Sequence, residues 1–214
     1  MTIDFSQFIK NNTLLLIRIQ LEELPMKLDN LTKKAYYYIK NDFSLLKQQQ
    51  KDFYNRLKDI PEIIGYDENG DEISNHDWLS SQAEDNFIND AEIIEYFETS
   101  IHSMLINFYY ETYTNLKKQI KDQLKNIDIE TNSLSLIFDE IYNTLEIQKV
   151  NLINNCIKHN NCIADKKLAN KFPTEFKENV QITINKALVY SLLQITKQSL
   201  NQLKIKFIEK YSEK

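Results

Sequence analysis

The sequence predicts an all-α fold: a helical bundle with a long N-terminal helical extension and a small hairpin insertion near residues 61–76. Three observations carry this. The 214 residues hold only two glycines and three prolines, and sheet proteins of that size consume both in their many turns. Apolar residues recur at helical spacing over long stretches. Both glycines and one proline lie close together, at Pro61, Gly65 and Gly70, so turn chemistry is concentrated in one place. The expected division is 1–60 for the extension, 61–77 for a hairpin-like linker and 78–214 for the bundle.

The first helix is expected from about Asp4, its N-cap, to Leu24, with Phe5, Phe8, Ile9, Leu15, Leu16 and Ile19 as its inward face. Pro25 should kink or end it, since an interior proline costs about 3 kcal/mol. A second helix follows from about Met26 to Lys58, with Leu28, Leu31, Ala35, Tyr38 and Ile39 on its apolar side and a polar second half. Two short extended runs then flank Asn69-Gly70 in IIGYDENGDEI, a hairpin signal. Asp67, Asn69 and Asp71 superficially resemble a calcium loop. Glu72 stands where that loop needs glycine, and Trp78 where it needs glutamate. Helices resume after Trp78, with Ser81 and Glu84 as a capping box. An amphipathic helix spans about Asp90 to Leu124, on the face Ile94, Phe97, Ile101, Leu105, Phe108, Leu116, Ile120 and Leu124. After a polar break at 126–134, one helix is expected from about Ser135 to Lys158, then a loop of about a dozen residues. A last helix runs from about Thr174 to Tyr211, with Leu188, Leu192, Ile195, Leu203 and Phe207 buried.

Charge is distributed unevenly. The net charge is −5. From Asp59 to Glu111 there are fourteen acidic residues and no Lys or Arg, leaving 17 acidic against 26 basic residues elsewhere. Residues 147–172 hold five lysines against Asp165 alone. Phosphate binding needs local rather than global positive potential, so this stretch keeps nucleic acid open, although a solvated lysine-rich face reads the same way. The acidic segment suits a basic partner, or an ordinary solubilising surface. Cys156 and Cys162 read as reduced thiols of a cytoplasmic protein, a disulfide being the alternative. No run approaches the roughly 20 apolar residues of a membrane span, and the N-terminus lacks the basic start and apolar run of a secretory signal.

The stretch NNCIKHNNC, residues 154–162, is the strongest chemical candidate. Asn155 and His159 are four apart and share a helix face, and Asn154 and Lys158 do so on a face turned by about 100°. An imidazole that titrates near pH ~6.5 can serve as general acid or base. Asn155 can hold a ribose or phosphate by hydrogen bonds, while Lys158, with Lys166 and Lys167 beyond it, can neutralise phosphate charge. The same residues equally suit a plain helix C-terminus, where His and Lys meet the last carbonyls.

Two stretches, IHSMLINFYYETYTNLKKQI and FDEIYNTLEIQKVNLINNCIKHNN, resemble the HEPN superfamily, all-α domains of prokaryotic toxin–antitoxin and phage-defence systems. The second is similar to that family's helix ending in Arg-Asn-x-x-x-His. The resemblance covers roughly residues 90–210. It implies a homodimer with two motifs facing across a cleft, and metal-independent RNA cleavage in which histidine assists the ribose 2′-hydroxyl and arginine stabilises the phosphate. His159 matches the histidine and Asn155 the residue after the arginine, while Asn154 replaces the arginine itself. A neutral amide lacks the charge and the planar fork of arginine, and losing one such donor costs about 10² to 10³ in rate. The resemblance therefore implies an RNA-binding endoribonuclease-like protein with weakened catalysis, with an antitoxin or effector as protein partner. A non-catalytic helical scaffold that holds a partner through the acidic segment is the alternative. Neither a cofactor nor a metal is expected: His76 and His102 have no ligand-type neighbours at useful spacing, and no phosphate-binding glycine loop or nucleophile elbow occurs. Tyr36–Tyr38 and Tyr109–Tyr110 point in successive helical directions and so form no stacking platform.

Overall fold

The computed structural model describes residues 5–57, 63–144 and 146–211. The protein is all-α, 80% helical, with six helices and one short β-hairpin among these residues. The helices are α1 (Phe5–Leu57), α2 (Asn75–Lys125), α3 (Asn132–Asn143), α4 (Glu146–His159), α5 (Lys166–Lys171) and α6 (Lys186–Tyr211); the strands are β1 (Ile63–Tyr66) and β2 (Glu72–Ser74). The chain forms two compact units: Met1–Thr32 with Ile101–Lys214, and Lys33–Ser100. The boundaries between them fall inside α1 and α2.

Pro25 neither ends nor splits the first helix; α1 runs through it as one helix of 53 residues. Proline removes only one intrahelical hydrogen bond. Here Pro25 is buried, and the packing of Leu21 and Leu28 on either side, at 0% and 1% exposure, offsets that loss. The expected inward face of this segment is also reversed. Leu14, Ile17, Leu21 and Leu28 face the core. Phe5, Phe8, Ile9, Leu15, Leu16 and Ile19 are 42–71% exposed on the opposite side.

In the first unit, α1, α2, α3, α4 and α6 enclose one core. Polar pins tie α1 to its neighbours. Gln20 Nε2 donates to Gln119 Oε1 at 2.8 Å. Lys197 of α6 pairs with Asp29 at 3.3 Å, and Lys204 with Glu22 at 3.6 Å, so α6 runs antiparallel to α1. Thr32 is fully buried; its hydroxyl donates to the Leu28 carbonyl at 2.8 Å and meets the Tyr109 hydroxyl at 2.7 Å. Burial pushes the Tyr109 phenol up to about 12 from 10.0, and burial also raises Tyr113. An unfolded tyrosine loses its proton near 10 and the folded Tyr109 near 12, so the unfolded chain binds fewer protons between those values. Stability is expected to fall as pH rises through that window. Urea midpoints that drop above pH 10, with a smaller drop in Tyr109→Phe, would verify it.

The expected helix from Ser135 to Lys158 is two helices, α3 and α4. Thr144 ends α3: its N–H donates to the Glu140 and Ile141 carbonyls and its hydroxyl to the Ile141 carbonyl at 2.6 Å. Such back-bonding competes with helix continuation. The last helix begins at Lys186 rather than Thr174, capped by Asn185, whose Oδ1 accepts from the Leu188 N–H at 3.0 Å. The intervening chain holds the short α5, capped by Asp165 through the Leu168 N–H at 2.7 Å. Beyond it an isolated bridge joins Ile163 to Gln181.

The second unit comprises α1 from Lys33, the hairpin and α2 to Ser100. The Asn69-Gly70 hairpin forms as expected, with β1 and β2 antiparallel and a register shift between Ile63 and Gly65. Asp67 organises the loop: its Oδ1 accepts from the N–H groups of Asn69 and Asp71 at 2.8 and 2.9 Å. These bonds hold its carboxyl below the usual range. Gly70, at φ +86°, takes the left-handed conformation that closes the turn.

Candidate functional site

The NNCIKHNNC stretch forms the end of α4 and its exit. The Asn160 N–H donates to the Cys156 carbonyl at 3.0 Å, and the Cys162 N–H to the same carbonyl at 3.1 Å. Asn161 and Cys162 adopt left-handed conformations, φ 48° and 61°. This is the usual way a helix satisfies its last carbonyls, with asparagine in place of the scarce glycine. His159 is the last helical residue and is exposed.

The four candidates on α4 do not converge. Asn154 and His159 are five positions apart, which turns them roughly 140° from one another on a helix. Asn154 accordingly faces the core at 1% exposure, and its Oδ1 has no hydrogen-bond partner. Asn155 is half-buried and donates through Nδ2 to Asn151 Oδ1 at 3.2 Å. Asn151 in turn donates to the Tyr142 hydroxyl at 2.6 Å. Asn155 thus belongs to an amide chain that fastens α4 to α3. Lys158 is exposed and lies 3.3 Å from Glu111 of α2, which takes up part of its charge. Lys166 and Lys167 are exposed on the first turn of α5.

The positive charge of the stretch is also smaller at the surface than in the sequence. Lys149 is 8% exposed. Its ammonium pairs with Glu175 and lies 5.7 and 5.8 Å from the ring centres of Phe172 and Phe176. A buried ammonium is tolerated only with such compensation. Lys149 therefore clamps the segment after α5 onto α4 and is closed to a phosphate. Cys156 is buried and Cys162 half-buried, both as free thiols. Burial raises both, which leaves them weakly nucleophilic at neutral pH.

Two surfaces stand out, the first not marked as a site by the sequence and the second inside its acidic segment. One is the outer side of α1, where the apolar residues of Phe5–Ile19 continue to Met26, 60% exposed. Its signal was present: the helix carries two apolar sets half a turn apart, and only one can face a given core. The other lies in the second unit, on α2. There Ile93, Tyr96 and Phe97 are 52%, 72% and 61% exposed, with the exposed Glu92 and Glu95 beside them along one side. Among the described residues, no helix is long and apolar enough to cross a membrane.

Comparison of the chain with protein-family models, with curated proteins and with solved structures finds no match.

Proposed function

We propose that this chain is a non-catalytic helical interaction protein that holds a basic protein partner through the acidic second unit. The observation that carries this reading is the surface from Glu92 to Phe97. Two exposed carboxylates, Glu92 and Glu95, lie there along one side of an exposed Ile93 and the aromatic pair Tyr96 and Phe97, whose rings meet edge to face at 6.3 Å. Desolvated aromatic anchors beside charges that select the partner are the recurring composition of protein interfaces. The burial of Asn154 weighs against the ribonuclease reading. A carboxamide turned into the core cannot donate to a scissile phosphate, and the position lacks the charge that chemistry needs.

A second reading, RNA contact without turnover in a HEPN-like defence or toxin–antitoxin system, is favoured by the joint exposure of His159, Lys166 and Lys167. One experiment separates the two. The protein is incubated with tRNA and total RNA in EDTA beside His159→Ala, and an arginine-rich helical peptide is titrated by fluorescence anisotropy. Intact RNA, no RNA retention, and peptide binding weakened about tenfold by Glu92→Gln with Glu95→Gln support the interaction protein. Cleavage that disappears in His159→Ala overturns it, as does RNA retention with no peptide binding.

A further inference from the structure

We propose that the outer face of α1 is a homodimer interface, in which two copies of this helix pack antiparallel about a two-fold axis at Asn12. This goes beyond the partner reading and does not rest on it; it uses a different unit and a different helix.

Seven apolar side chains, at positions 5, 8, 9, 15, 16, 19 and 26, lie along the outer side of α1 with exposures of 42–71%. Phe5 and Phe8 already stack on one another, their ring centres 6.5 Å apart. At roughly 150–200 Å² per large side chain, the exposed apolar area is on the order of 700 Å². Monomeric proteins rarely exceed about 300–600 Å² in one patch, and a standard interface removes about 800 Å² per partner. The patch therefore has the size of one half of a stable interface.

Its spacing specifies the occupant. Positions 5, 8, 12, 15 and 19 repeat with alternating steps of three and four, the seam along which two helices pack. The seam is self-complementary when reversed about Asn12. Phe5 then faces the partner's Ile19, Phe8 the partner's Leu16, and Ile9 the partner's Leu15. Asn12 meets its own copy on the axis, where a single polar pair in an apolar seam fixes register. Glu23 falls just beyond the seam, where it pairs with Lys27 of its own helix at 2.6 Å.

Light scattering and sedimentation equilibrium at 1–100 µM test this, with concentrations on the order of those at which standard interfaces associate. Twice the chain mass of 25.4 kDa is expected. Leu16→Glu should weaken association at least about 100-fold, because each dimer carries the change twice, while the circular dichroism and thermal midpoint of the monomer stay unchanged. In a background with Cys156 and Cys162 replaced by serine, Phe5→Cys mixed with Ile19→Cys should cross-link on oxidation, and Phe5→Cys alone should not. A wild-type monomer at 100 µM overturns the proposal, whether or not it co-sediments with phosphatidylglycerol vesicles. So does a dimer that survives Leu16→Glu, or one that cross-links through Phe5→Cys alone.

Discussion

Leu21→Ala is expected to lower the unfolding free energy by about 2–5 kcal/mol, and Leu16→Ala by less than about 0.5 kcal/mol, in urea titrations at sub-micromolar protein. The two leucines lie on one helix, five residues apart, in surroundings of similar sequence. Leu21 is fully buried beside Ile17 and Leu28, and truncating it leaves a cavity that a close-packed core fills only in part. Leu16 is 61% exposed, so alanine removes little buried area and improves helix propensity slightly. At higher protein concentration the Leu16 variant should lose stability relative to wild type, because association stabilises the folded state by mass action. Equal effects at low concentration would mean that the helix is not oriented as described.

Phe138→Ala is expected to cost about 3–5 kcal/mol, and Tyr113→Phe only about 1 kcal/mol. Phe138 is 1% exposed at the junction of α2 and α3. The Tyr113 ring meets it edge-on at 5.3 Å and 64°, and the Tyr113 hydroxyl donates to the Phe138 carbonyl at 3.2 Å. The Lys117 ammonium lies 5.8 Å from the Phe138 ring centre while pairing with Asp139 at 2.9 Å. Truncating Phe138 removes an aromatic contact, a cation contact and a core volume together. Removing the Tyr113 hydroxyl leaves both rings in place. Far-UV unfolding curves of the two variants give the ratio directly, and a Phe138→Ala cost below about 1.5 kcal/mol would show a junction far looser than this packing.

Helical class and the hairpin were legible because both rest on local signals. Glycine and proline are scarce, and the one Asn-Gly falls where the chain reverses. Helix ends were less legible. Thr144 and Asn185 act through side-chain bonds to nearby backbone, which composition does not rank against helix continuation. Pro25 misled in the opposite direction, since a local penalty was outweighed by burial on both sides. The orientation of α1 was not legible at all, because periodicity locates an apolar face but not the core it meets. At the candidate site, spacing identified Asn155 and His159 as sharing a face. It left unsaid that Asn154 turns inward and that Lys149 is occupied by Glu175. Both follow from how α4 packs against α3, α6 and the segment after α5, which is non-local.

A helix that is greasy on two sides has two ways to seat itself, half a revolution apart, with comparable gain in area. Folding must discriminate between them, and oil-like contacts alone do so poorly. Gln20 with Gln119, Thr32 with Tyr109, Asp29 with Lys197 and Glu22 with Lys204 occur in one seating only. These modest bonds therefore act less as glue than as a key, making the misrotated helix the one that strands its polar groups.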